Sequence, residues 1–128
     1  MKKFVAVIVL FVGFAFTANA QKVKTVALEQ TKGEFTQKKI TLSEGTYIFE
    51  IANNNVGHNV GFVLAPKNDV KKHIKNAYVK KQVANNTKGT SNKVTLAKGE
   101  YVYFCPLNPT PQYTLVVEWW WVVFRPVT

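Results

Sequence analysis

Cys105 is the only cysteine of this 128-residue chain, and His58 and His73 are its only histidines. Thiolate and imidazole are the donors that suit copper and zinc. Their placement follows an internal repeat. Residues 39–49 read Lys-Ile-Thr-Leu-Ser-Glu-Gly-Thr-Tyr-Ile-Phe, and residues 93–103 read Lys-Val-Thr-Leu-Ala-Lys-Gly-Glu-Tyr-Val-Tyr. At the same offset, His58 in Gly57-His58-Asn59 falls on Gln112 in Pro111-Gln112-Tyr113. A lone His and a lone Cys thus stand at the ends of matching strand pairs, which points to a metal site. Gln112 stands where a second histidine would complete it.

Other chemistry finds less support. There is no Ser/His/Asp order with local context, no HExxH, and no Gly-rich phosphate loop, and the seven carboxylates are scattered. A Cys–His nucleophile pair is formally available but lacks an orienting acid and an oxyanion loop. The sequence is therefore read as that of a non-enzyme. Each residue also has a plainer role: a histidine near a strand end is often hydrogen-bonded structure, and a solitary cysteine behaves as a small buried hydrophobe.

The elements that must position these residues read mostly as β. Expected strands are Val23–Leu28, a short stretch at Glu34-Phe35, Ile40–Leu42, Thr46–Ala52, His58–Ala65, Lys93–Leu96, Glu100–Phe104 and Tyr113–Val117. In Thr46–Ala52, Tyr47, Phe49 and Ile51 share one face. Turn signals stand at Ser43-Glu44-Gly45 and Ala97-Lys98-Gly99, and Asn53-Asn54-Asn55 reads as a loop. Val70, Ile74, Ala77 and Tyr78 recur at helical spacing among five lysines, behind Asn68 or Asp69 as a cap, so a short basic helix is expected over 68–82. Residues 85–92 read as a polar loop whose Asn85-Asn86-Thr87 fits a glycosylation sequon. Many short strands with regular turns make the fold class all-β, a Greek-key β-sandwich with one short helical insertion and two related hairpin-like halves.

The motifs Gly57-His58-Asn59 and Tyr103-Phe104-Cys105, the latter followed by a loop with prolines at 106, 109 and 111 and then a strand, resemble those of the cupredoxins, the blue-copper proteins of the plastocyanin and azurin type. The resemblance spans about Thr41 to Val117. It implies copper as cofactor, electron transfer as function, His58 as the first imidazole ligand and Cys105 as the thiolate ligand. Asn59 matches a position that in such proteins ties the two ligand loops together. The family's second histidine belongs in the loop after Cys105, yet 106–111 contains none, Gln112 is not one, and no methionine remains downstream of Met1. Gln112 is then a weak oxygen ligand, a plain loop residue of a chain that has given up the metal, or a bystander at a site that a partner or His73 completes.

The ends carry separate signals. Lys2 and Lys3, an uncharged apolar run from Phe4 to Phe16, and Ala18-Asn19-Ala20 form the pattern of a cleaved export signal over residues 1–20, so a periplasmic or secreted protein beginning at Gln21 is expected. That run is short of the roughly 20 residues a span needs. Removing Lys2 and Lys3 takes the formal charge from +10 to +8. Such a surface favours an acidic redox partner protein or an anionic membrane over nucleic acid, for which no basic motif with interleaved aromatics exists. The domain is expected to occupy 21–117. The tail, 118–128, holds Trp119-Trp120-Trp121-Val122-Val123-Phe124 with no polar residue, the composition of a partner surface, a membrane-surface contact or an aggregation-prone segment. The second functional reading is accordingly a metal-free interaction module that uses the basic segment and this tail.

Overall fold

The computed structural model describes residues 23–119. The expected export signal and the tail beyond Trp119 lie outside the described residues. Among the described residues nine strands form two sheets: β1 (Val23–Thr31), β2 (Glu34–Phe35), β3 (Lys39–Ser43), β4 (Gly45–Asn53), β5 (Val63–Pro66), β6 (Lys88–Thr90), β7 (Val94–Leu96), β8 (Gly99–Phe104) and β9 (Tyr113–Glu118). The first sheet runs β2-β1-β4-β6, with β7 also on β4, and the second runs β3-β9-β8-β5. Two pairings are parallel, β1 with β4 and β3 with β9, and the rest are antiparallel. The chain is the β-sandwich that the strand pattern implies.

Alternation sets which residues meet between the sheets. In β4, Tyr47, Phe49, Ile51 and Asn53 are buried while their neighbours are half-exposed. Successive side chains of a strand point to opposite faces, so this set faces the opposing sheet. Phe35, from the two-residue β2, has no exposed surface and meets Tyr103, Tyr113 and Phe62 edge-on, with ring centroids 5.2, 5.8 and 6.1 Å away. Edge-to-face packing places the positive ring edge against a negative ring face and adds about 0.5–1.5 kcal/mol per pair beyond area burial. These contacts join β2, β8, β9 and the chain before β5, and so brace the end of the sandwich from which the Cys105 loop springs.

Four expectations change on folding. The repeated halves are not hairpins. β3 pairs with β9 in one sheet while β4 pairs with β1 in the other, and β7 and β8 are divided in the same way. Each half steps from sheet to sheet at its turn, because both of its strands carry a core face and each must bury it from a different side. The strand expected over 58–65 begins only at Val63; Val60 makes one isolated bridge, to Val83. Upstream, Gly57 adopts φ +102, a conformation that suits glycine. Side chains take over the backbone's hydrogen bonds there: Asn53 Nδ2 donates to the carbonyls of His58 and Val83, and Asn53 Oδ1 accepts from Val56 N–H.

The expected helix over 68–82 is replaced by an irregular strap of turns that includes one 3-10 turn, Lys75–Ala77. Ile74 N–H bonds to Leu64 in β5, Lys80 N–H bonds to Thr90 in β6, and Val79 bridges Ser91. The strap therefore satisfies the outer edges of β5 and β6, which would otherwise expose unpaired backbone. Its burial also departs from a helical stripe. Ala77 and Val83 are buried and Ile74 and Val79 pack on the core, whereas Tyr78 is largely exposed. The polar stretch that follows contains β6 rather than being loop throughout. Buried Ser91 ends β6: its hydroxyl accepts from Phe49 N–H at 3.0 Å and donates to Asn92 O, so β4 passes from β6 to β7 without an orphaned donor. Among the described residues no helix is long and apolar enough to cross a membrane.

Candidate metal centre

Cys105 follows the last residue of β8 and is buried. Its sulfur accepts two backbone amides, Gly61 N–H and Asn108 N–H, each at 3.3 Å. The chain after it closes on itself: Cys105 N–H donates to Thr110 Oγ1 at 3.0 Å, and Thr110 N–H donates to Cys105 O. Proline at 106, 109 and 111 removes donors and fixes φ, so few backbone groups of this loop need a partner. Two amides pointing at one sulfur make an electropositive seat in which a thiolate finds hydrogen bonds without water.

His58 sits in the bend after Gly57 and is exposed. Its Nδ1 lies 3.0 Å from the carbonyl of Asn59, a group to which it can only donate. The His58 and Cys105 loops meet at the same end of the sandwich through Gly61, three residues after His58. Gln112 is exposed and precedes β9. His73 stands elsewhere. Its Nδ1 is 2.8 Å from Tyr78 Oη, and its ring packs edge-on against Phe104, the half-exposed neighbour of buried Tyr103. Strand alternation puts Phe104 on the outer face of the second sheet, so His73 covers that face. Among the described residues no group of three or more His, Cys, Asp or Glu side chains is gathered closely enough to hold a metal.

The tie between the loops is not made by Asn59, whose side chain turns outward to Gln82 at 3.3 Å. Buried Gln30 and Asn108 make it instead. Gln30 Nε2 donates to Gly61 O at 2.8 Å, and Gln30 Oε1 accepts from Asn108 Nδ2 at 3.0 Å. Asn108 Nδ2 also reaches Thr31 O at 2.8 Å, and Asn108 Oδ1 accepts from Gly33 N–H at 2.7 Å. These two residues are not in the candidate set read from sequence. Gln30 carries a weak signal, because it stands two positions after Leu28 on the core face of β1, where a polar residue requires partners.

Beside this centre, Tyr103 Oη donates to Gln37 O at 2.6 Å. Burial, with a smaller contribution from the charge of neighbouring Tyr113, pushes its phenol up to about 12. On the surface nearby, the 2.6 Å hydrogen bond to Lys38 lowers the Glu34 carboxyl, and Glu34 in turn raises the Lys38 ammonium.

Residues 21–116 match the family model of copper binding proteins of the plastocyanin/azurin family. The chain belongs to this cupredoxin family. No curated protein sequence matches it closely enough to add to that assignment. Solved cupredoxin structures share its fold. Auracyanin B superposes with a TM-score of 0.59 at 20% identity, covering 73% of this chain and 88% of that one. Auracyanin A, described as a "blue" copper protein from Chloroflexus aurantiacus, gives 0.59 at 20% identity over 76% of this chain and 100% of that one. Auracyanin from Roseiflexus castenholzii gives 0.56 at 13% identity, covering 73% and 95%. At these identities the likeness establishes the fold. The metal chemistry of this cupredoxin has to be argued from its own donors. A blue-copper centre takes two imidazoles, one thiolate and a weak axial group. At this end of the sandwich Cys105 supplies a seated thiol and His58 an exposed imidazole, and Gln112 stands exposed just before β9.

Proposed function

We propose that this cupredoxin is an exported copper-binding protein with a reduced ligand set, in which Cys105 and His58 hold Cu(I) and Gln112 occupies the place of the second imidazole. The observation that carries the reading is the sulfur seat, two amides at 3.3 Å on Cys105 Sγ, at the same end of the sandwich as His58. Soft thiolate selects Cu(I), which accepts few ligands, and imidazole suits both copper oxidation states. Electron transfer in the manner of the complete family members needs a centre that holds both oxidation states in one geometry, and that role belongs to this chain only if a further donor joins the site. The export signal at residues 1–20 supports the periplasmic or secreted placement. The lysines of the strap are suited to steering an acidic redox partner, an effect that weakens as salt rises.

The test is an anaerobic competition titration with a chromophoric Cu(I) chelator. Wild-type protein withdraws one equivalent of Cu(I), Cys105→Ser withdraws none, and His58→Ala withdraws it at least tenfold more weakly. Failure of the wild-type protein to withdraw any copper contradicts the proposal.

One observation favours the second reading, a metal-free interaction module. Trp119 is 46% exposed, and Lys98 Nζ lies 5.6 Å from its ring centroid. β8 runs toward Cys105 and β9 runs back, so this aromatic end stands roughly 20 Å from the sulfur seat, the length of a six-residue strand. A lysine beside an exposed indole suits contact with an anionic membrane surface. Binding of the intact protein to anionic but not neutral vesicles, undiminished in Cys105→Ser, is the result expected on that reading; equal binding to both, or to neither, contradicts it.

A further inference from the structure

The sulfur of Cys105 is not held by its own loop alone. One of its two amides, Gly61 N–H, comes from a different loop, and nothing in the covalent chain fixes the distance between them. The residue that sets it comes from a third element. Gln30, at the end of β1 and with no exposed surface, donates from Nε2 to Gly61 O at 2.8 Å, on the same residue whose N–H meets the sulfur. Through Oε1 it accepts from Asn108 Nδ2 at 3.0 Å, on the residue that supplies the second amide. Asn108 is 2% exposed and is itself pinned to Thr31 O at 2.8 Å and Gly33 N–H at 2.7 Å. Both donors to the sulfur are thus fastened to a single glutamine side chain, and Asn108 in addition to the turn after β1.

We infer that Gln30 and Asn108 are positioning residues that build the thiolate seat before any metal arrives, by fixing the Gly61 and Asn108 amides on Cys105 Sγ. Buried amide side chains with every partner satisfied hold one geometry, because each alternative leaves a buried polar group unpaired. An apolar pair at these positions would fill the volume equally well but would leave the two loops free to slide past each other. The clamp joins three segments far apart in sequence, so the seat forms only once the sandwich has closed. The seat is a property of the metal-free protein. Its effect on copper rests on the function proposed above.

The test separates the two. Hydrogen exchange of individual backbone amides is measured by NMR on metal-free protein, for wild type, Gln30→Met and Asn108→Ser. Gln30→Met keeps length and volume and removes both amide contacts. The Gly61 and Asn108 amides are expected to exchange at least about tenfold faster in each variant, while Phe49 and Leu115 in the two sheets keep their rates. Cu(I) affinity is expected to fall by about tenfold, the lower end of what partners of metal ligands typically contribute. Unchanged exchange at Gly61 and Asn108, or a rise matched at Phe49 and Leu115, overturns the inference, since the second result is general loosening. If neither variant folds, wild type alone decides: Gly61 and Asn108 amides as labile as exposed loop amides overturn it, and slow exchange at both supports it. Absence of Cu(I) binding in wild type removes the copper reading and leaves the exchange comparison as the judge of the seat.

Discussion

Replacing Tyr103 by phenylalanine removes one oxygen from a fully buried ring and tests two consequences of its position at once. The ring contacts with Phe35, Phe62 and Tyr113 survive, because their centroids lie 5.2, 6.3 and 5.5 Å away and do not depend on the hydroxyl. The 2.6 Å bond to Gln37 O is lost, and that carbonyl belongs to the link between β2 and β3. A neutral hydrogen bond contributes about 1 kcal/mol, and a carbonyl left without its donor raises the cost to about 1–2 kcal/mol. For a domain of this size each kcal/mol moves Tm by roughly 4–8 °C, so a fall of about 5–15 °C at neutral pH is expected. The second consequence is its pH dependence. Tyr103 is pushed up to about 12 in the folded protein from an ordinary value of 10.0. The folded state therefore holds a proton that the unfolded chain releases. The stabilising contribution is full below pH 10 and is lost as pH rises toward 12. One pKa unit corresponds to ~1.4 kcal/mol, and with a discount for partial solvent screening the loss is about 1–2 kcal/mol. The assay is denaturant unfolding of both proteins from pH 7 to pH 12. The other tyrosines are common to both, so the difference between the two curves isolates Tyr103. Wild type is expected to lead at pH 7 and the lead to shrink between pH 10 and pH 12. A lead that stays constant across that interval refutes the reasoning.

Asn53→Ala strips Val56 N–H and His58 O of their partner in a buried position, and a loss of about 2–3 kcal/mol is expected; a loss under about 0.5 kcal/mol in urea unfolding argues against the side chain's part in shaping the His58 bend. Gly89→Ala puts a methyl 2.8 Å from Val83 Cγ2, a buried β-branched side chain with little freedom to turn, so about 1–3 kcal/mol is expected to be lost. In a Val83→Ala background the same glycine substitution is expected to cost less, and an equal cost in both backgrounds contradicts the contact. Gln112→His supplies an imidazole at the repeat-related position, and addition of Cu(II) is expected to give a visible thiolate charge-transfer band that wild type lacks. An unchanged spectrum shows that Gln112 does not face the seat.

The fold was legible in the chain because the core strands alternate. Tyr47, Phe49 and Ile51 declare a buried face by period alone, and Leu115 and Val117 do the same at the end. The basic strap was not. Val70, Ile74, Ala77 and Tyr78 fall at helical spacing, but pattern within a segment says nothing about the open edges of β5 and β6, and covering those edges decided its conformation. The repeat was real in sequence and misread as hairpins, since similarity between two segments does not reveal which sheet each strand joins. Of the centre, Cys105 stood out as the only cysteine. The clamp of Gln30 and Asn108 did not, because its contacts cross 78 positions of chain and exist only after the sandwich closes.

If Cys105 and His58 form a reduced copper site on the cupredoxin frame, the ligands of the bound copper reveal it. X-ray absorption at the copper edge of Cu(I)-loaded protein counts its ligands directly. One sulfur and one imidazole nitrogen with low coordination are expected, with loss of the sulfur signal in Cys105→Ser. A centre with two imidazoles, or copper bound without sulfur, contradicts it.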